Sequence, residues 1–410
     1  MKNIIYIVLL ISLVLSSCGK HSPTLSKGTW RGNIQLNENT LESQMPFLFT
    51  WNKTNDGKEE IIIINAEEKI PVNEISYSQD SVFIKLPVFK DEIKAKIISK
   101  DSIAGLYYHT GSRSKYTMPF YAIAGKEIRF GGEIVPPIAN ISGRWETTVA
   151  PGDSAEYKIV GEFKQTGNKL TGTFLTTAGD HRYLDGLVSG NKMKLSSVDG
   201  NHTLLITADI TKDGKLENGL LIGGPKWKER WIAIKNENFK LPEPETITKI
   251  KEGTGVIDFT FADLAGKRIS LSDEKYKGKP VIVQLMGSWC PNCMDETRFF
   301  NELYPKYNPA GLQIIGLSFE TNNFDESKER IERFVKQLNA KYDFLYAGEV
   351  GKNISETLPF IEKLNGYPTT LYLNRDHKIV KVYTGFSGPG TGEHYTRTKE
   401  EIIKTIESLL

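Results

Sequence analysis

Apolar and polar residues alternate at short range through the first half of the chain. Runs such as "EEIIIINAEE", "SVFIKLPVF", "IKAKIIS" and "KLTGTFLTT" are rich in Ile, Val, Phe and Thr, and Gly, Asn and Asp turns separate them. That pattern predicts many short strands, as in an all-β sandwich or barrel. After about residue 253 the pattern changes. "VIVQLM" (281–286) and "LQIIGLSF" (312–319) are nearly continuous apolar runs, as in strands buried on both faces. Between and after them, Met294, Phe299, Phe300 and Leu303, then Ile331, Phe334, Val335 and Leu338, then Ile402, Ile403, Ile406 and Leu409 recur at helical spacing. "YDFLYAG" is a short extended run, and "TTLYLN" and "KIVKVYT" predict strands meeting at Arg375-Asp376-His377. The order is β-α-β-α-β-β-α, with an added β element around "VIDFTFADLAGKRISL", and it predicts an α/β domain with a mixed sheet.

The strand-rich half repeats itself. "KGTWRG" (27–32) matches "SGRWET" (142–147), and "DSVFIKLP" (80–87) matches "GNKMKLSS" (190–197). "SKDSIAGLYY" (99–108) matches "TKDGKLENGLL" (211–221), and "YTMPFYAIAG" (116–125) matches "KERWIAIKNE" (228–237). The matches keep their order, which predicts two β-rich domains, 28–128 and 142–235, each a barrel- or sandwich-like repeat; a single large sandwich is the alternative. The spacing suits small up-and-down or lipocalin-like barrels. Residues 236–253, "NENFKLPEPETITKIKEG", have no core period, and Pro242 and Pro244 argue against helix, so the segment reads as a linker. The α/β domain then covers 254–410.

Composition adds bounds. Of 410 residues 39% are hydrophobic and 25% charged, ordinary values for folded material. Basic and acidic residues nearly balance, 52 against 50, and no long Lys/Arg run stands out, so nothing argues for nucleic-acid binding. The N-terminus is distinct. Met1-Lys2-Asn3 precedes the apolar run Ile4–Leu15, which has the length of a signal-peptide core and is too short to span a bilayer. Leu15-Ser16-Ser17-Cys18 resembles the bacterial lipobox. That resemblance implies a signal peptide over 1–17, lipidation of Cys18, a tether over 18–27, and a membrane-anchored, periplasm-facing lipoprotein.

Candidate chemistry centres on "GSWCPNC" (287–293). The chain has three cysteines, Cys18, Cys290 and Cys293. Cys290 and Cys293 could be a redox pair, half of a zinc site, or two inert thiols. Zinc needs about four ligands, and the six histidines are scattered with none paired at ligand spacing, so no metal is expected. A lone C-x-x-C in an exported chain is the redox arrangement. Pro291 suits the first position of a helix, which would put Cys290 at its N-terminus, where free N–H groups and the dipole favour a thiolate.

Three features in order, "DFTFADLAGKRISLSD", "VIVQLMGSWCPNC" and "GYPTTLYLN", resemble the thioredoxin fold and, more narrowly, its exported TlpA/ResA branch. The resemblance covers roughly 253–410. It implies a thiol–disulfide oxidoreductase needing no cofactor beyond the Cys290–Cys293 disulfide, with Cys290 as nucleophile and Cys293 as resolving thiol. It implies a cis Pro368, whose loop packs beside the cysteines and leaves the Tyr367 backbone to pair with an extended peptide. Trp289, Tyr367 and Thr369 are then the substrate-binding positions. Glu296 stands where ResA-like members carry an active-site glutamate, and Gln284 where thioredoxin has a buried acid. The implied partners are substrate proteins with disulfides or thiols and a membrane-embedded electron donor, with reductive exchange as in cytochrome c maturation. Two other readings stay open. Trp30 and Trp145 open the repeats, and the β-rich region could itself bind a ligand or partner. A peroxiredoxin-like peroxidase would need Pro-x-x-x-Thr/Ser-x-x-Cys, which "QLMGSWC" does not supply.

Overall fold

A computed structural model of the chain describes residues 24–36, 43–111 and 114–410. Cys18 and the apolar run before it lie outside the described residues. Among the described residues, no helix is long and apolar enough to cross a membrane.

Nine antiparallel strands from Gly28–Gln35 to Tyr116–Ala124 form the first sheet. The first strand pairs with both the second and the ninth, so the ends of the meander meet. The sheet's two edges are the successive strands Glu68–Val72 and Glu74–Ser78. It is therefore a barrel-like meander with one open seam.

The second sheet, Gly143–Val149 to Trp227–Lys235, closes fully. Each long strand pairs with its neighbours in sequence, and the first pairs with the last. Closure removes free edges. The interior is filled by Trp145, Phe163, Phe174, Trp231 and aliphatic side chains. Phe174 meets Phe163 and Trp231 edge-on at 5.4 and 5.5 Å between centroids.

The repeat is visible in detail. Trp30 and Trp145 are both buried, and each indole N–H donates at 2.9 Å to the carbonyl four residues earlier, Ser26 and Ile141. Two residues before each tryptophan a glycine takes a left-handed φ, +107° at Gly28 and +111° at Gly143, a conformation that side chains disfavour. Val82 and Ile84 in the first sheet and Met193 and Leu195 in the second are the buried pairs, so the inward faces lie one residue out of step with the match of 80–87 to 190–197.

The segment 236–253 is more ordered than a bare linker. Pro244–Thr246 forms one 3-10 turn, because proline is tolerated at the first position of a turn, where no N–H is needed. Lys249–Ile250 then pairs with Ile361–Lys363. Thr248 is buried, and its hydroxyl accepts from Thr384 at 2.7 Å.

The C-terminal domain is a seven-stranded mixed sheet. Its order runs Arg268–Ser270, Thr260–Asp263, Asp343–Glu349, Gln313–Glu320, Val281–Met286, Thr369–Leu373, Ile379–Thr384. Val281–Met286 lies parallel to Gln313–Glu320, and that strand parallel to Asp343–Glu349; the other pairs are antiparallel. Helices Pro291–Tyr307, Phe324–Leu338 and Glu393–Leu409 bury their apolar stripes on the sheet. All six residues of Val281–Met286 are buried, as its nearly continuous apolar run predicts. This is a thioredoxin-like fold following an all-β region.

Candidate redox site

The strand Val281–Met286 ends at Gly287, and the chain turns at once into the helix Pro291–Tyr307. Cys290 is the N-cap of that helix, with extended backbone (φ −101°, ψ 112°), and Pro291 takes the first helical position. The Cys293 N–H donates to Cys290 Sγ at 3.1 Å. The two cysteines are joined as a disulfide with their Cα atoms 5.2 Å apart. Cys290 is 5% exposed and Cys293 fully buried.

The loop before the cysteines is held from below. Glu320 accepts from the Ser288 N–H at 2.6 Å and from its hydroxyl at 2.9 Å. Burial raises the Glu320 carboxyl above its ordinary range. The Trp289 indole donates to the Phe319 carbonyl at 2.8 Å and meets the Tyr367 ring edge-on at 5.6 Å. The Tyr367–Pro368 peptide is cis, the isomer the resemblance implies. Cys290 Sγ lies 3.7 Å from the Tyr367 carbonyl oxygen.

Thr369 does not face this opening. It is fully buried, and its hydroxyl donates to the Gly366 carbonyl at 2.8 Å. Strand alternation turns it under the loop, so it supports the Gly366–Pro368 turn instead of lining a docking face.

Glu296 is 1% exposed, one turn beyond Cys293. Its carboxylate accepts from Gln284 Nε2 and from the Thr370 hydroxyl, each at 2.8 Å. Burial pushes its pKa up to about 8, against the smaller downward pull of those two bonds. Gln284 is fully buried, and its Nε2 also lies 3.3 Å from the Cys293 carbonyl. Gln284 and Thr370 were therefore missed as partners of Glu296. Only the position of Gln284, six residues before Cys290 on a buried strand, gave a signal.

The structure also brings residues of the β-rich region to the site. Asp295, in the active helix, is buried and ion-paired with Arg182 of the closed barrel. Val88 and Phe89, from a loop of the first sheet, share an apolar cluster with Cys290, Cys293 and Met294. No periodicity links such distant positions, so sequence reading could not find them. Among the described residues, no group of three or more His, Cys, Asp or Glu side chains is placed to hold a metal.

The arrangement suits thiol–disulfide exchange: a capped cysteine at a helix N-terminus, a second one turn on, and a buried carboxyl behind it. A redoxin family model matches residues 251–397. Thiol-disulfide oxidoreductase ResA of Bacillus thuringiensis subsp. konkukian (strain 97-27) is 35% identical over 158 residues, covering 38% of this chain and 80% of the relative. ResA of Bacillus subtilis (strain 168) is 29% identical over 136 residues, covering 33% and 69%. A solved structure of a putative protein disulfide isomerase from Bacteroides thetaiotaomicron is 22% identical and covers 39% of this chain and 92% of that one, at a TM-score of 0.30.

Proposed function

The chain belongs to the TlpA/ResA-like redoxin family of thiol-disulfide oxidoreductases, and from that premise we propose a lipid-anchored reductase that passes electrons from Cys290 and Cys293 to disulfides of substrate proteins outside the cytoplasm. The observation that carries this reading is the position of Cys290 as N-cap, with the Cys293 N–H directed at its sulfur. Hydrogen bonding and the helix dipole both favour a thiolate there.

In the reduced protein the Cys290 thiolate attacks one sulfur of a substrate disulfide. A Cys290–substrate bond forms, the substrate bond breaks, and the second substrate sulfur leaves as a thiolate and takes a proton. Cys293 then loses its proton and attacks Cys290 Sγ. The Cys290–Cys293 disulfide forms and the first substrate sulfur leaves as a thiolate. Glu296 is the acceptor of the Cys293 proton. Burial raises its pKa to about 8, into the range where thiols titrate, so its ionised form can take that proton.

Trp289, Tyr367 and Pro368 shape the docking surface around Cys290. A membrane-embedded donor returns two electrons and two protons to complete the cycle. The acyl chain on Cys18 holds the protein near that donor, and Cys18→Ala moves it to the soluble fraction. The substrates are of the kind met in cytochrome c maturation.

The direction is tested by the reduction potential of the Cys290–Cys293 couple. A value near that of thioredoxin, about −270 mV, supports the reductase; a value near about −120 mV makes the protein an oxidant and overturns it.

A further inference from the structure

We propose that the closed barrel shuts the redox site from within: the hairpin tip Thr176–Asp180 occupies the groove in front of Cys290 and the cis-Pro368 loop, and a substrate polypeptide engages Cys290 only after this tip moves off. The inference rests on Cys290–Cys293 being the exchange centre.

The tip is a tight turn. Leu175 pairs with Asp180 and Thr176 with Gly179, leaving Thr177 and Ala178 at the apex. The Thr176 hydroxyl accepts from the Ala178 N–H and donates to the Gly179 carbonyl, each at 3.2 Å. This apex lies against three segments beside the redox centre. A Cβ on Gly366 would stand 2.8 Å from the Ala178 side chain. One on Gly385 would stand 3.0 Å from the Thr177 carbonyl oxygen and from backbone atoms of Ala178 and Gly179. Gly179 itself lies against Asn292, between the two cysteines, and the Phe386 carbonyl. The apex thus packs against Gly366 and Gly385 beside the cis-proline loop and against Asn292, filling the space an extended peptide needs to reach Cys290.

Polar contacts latch the tip in place. The Asp180 carboxylate accepts from the Gly388 N–H at 2.6 Å. Arg182, 3% exposed, pairs with Asp295, two residues beyond Cys293, and with Glu68 of the first sheet, and lies 3.7 Å from Asp199. One guanidinium therefore joins all three parts of the chain. Breaking one side of such a buried pair leaves an uncompensated charge, so opening the tip costs the whole latch together.

The first sheet closes the opposite side. Phe89 packs into the apolar cluster around Cys290, and Arg333 of the helix Phe324–Leu338 donates to the Phe89 and Leu86 carbonyls at 3.3 and 3.0 Å. With both sides covered, only 5% of Cys290 is exposed.

The test uses the full chain carrying Cys293→Ser, in which Cys290 cannot be resolved. A peptide with an internal disulfide is offered to the reduced protein. The Cys290 thiolate bonds to one peptide sulfur and the other leaves as a thiol, trapping the mixed disulfide. Hydrogen exchange read by mass spectrometry is compared before and after trapping. Exchange at 176–182 and 385–388 is expected to rise together, and adding Arg182→Gln is expected to speed trapping at least tenfold. Trapping with unchanged exchange at 176–182 overturns the occlusion and leaves Cys290 as the exchange centre. No trapping with or without Arg182→Gln overturns the redox reading, and the occlusion with it. Should the Arg182→Gln chain not fold, the exchange comparison in Cys293→Ser alone decides.

Discussion

Gln284 donates to the Glu296 carboxylate at 2.8 Å while the same amide nitrogen stands 3.3 Å from the Cys293 carbonyl, so one neutral side chain ties the buried acid to the second cysteine. Its carbonyl oxygen accepts from the Thr297 and Tyr342 hydroxyls, each at 3.2 Å. The amide is fully satisfied and fixed in orientation. Gln284→Leu orphans these groups, at about 1–3 kcal/mol each. It also removes one of the two bonds that hold the Glu296 pKa down. The expected result is lower stability in urea and an exchange rate whose pH profile moves to higher pH.

Glu296 makes stability depend on pH in a definite sense. Its carboxyl titrates at about 8 in the fold, against an ordinary 4.5. Between those values the folded chain binds more protons than the unfolded one, so this group's contribution falls as pH rises from 4.5 to about 8. Glu296→Gln flattens that part of the stability curve, measured by denaturant midpoints at several pH values. If Glu296 accepts the Cys293 proton, the same substitution slows the resolving step by about 10²–10⁴-fold.

The two cysteines are expected to fail differently. Cys290→Ser abolishes reduction of insulin disulfides and forms no mixed disulfide. Cys293→Ser abolishes turnover yet captures one substrate equivalent, seen as a mass increase reversed by a thiol reductant. Capture by Cys293 in the Cys290→Ser chain would reverse the assigned roles.

Trp145 is one of two tryptophans in the closed barrel's core, and its indole is hydrogen-bonded to Ile141. Trp145→Ala is expected to cost about 3–5 kcal/mol. Because the chain has several parts, the loss is read as an earlier first transition in stepwise unfolding.

Much of this molecule was legible in its pattern of residues. The nearly continuous apolar run at 281–286, the helical spacing of Phe299, Phe300 and Leu303, and the matched Trp30 and Trp145 each report a local period, and each became the element that period implies. Cys290, Pro291 and Cys293 are close in sequence, so their geometry follows from one helix start. The role of Thr369 misled because a motif names neighbours but not the face on which each lies. The contacts of Arg182 with Glu68 and Asp295, and of Phe89 with the cysteine cluster, join positions far apart in sequence. They depend on how three folded parts dock, which no local period encodes.

The order in which the chain is made also matters for these barrels. Trp30 pairs across to Ala124 and Trp145 to Lys235, so each barrel's opening strand is bonded to its closing one. Neither opening strand can pair with its closing partner until that partner has been synthesised, and such distant pairings form slowly. Arg182 completes its ion pairs only when the active-site helix, made still later, supplies Asp295. The β-rich half therefore waits longest for its partners, and its early life is spent with a guanidinium short of one carboxylate, when a holding chaperone would matter most.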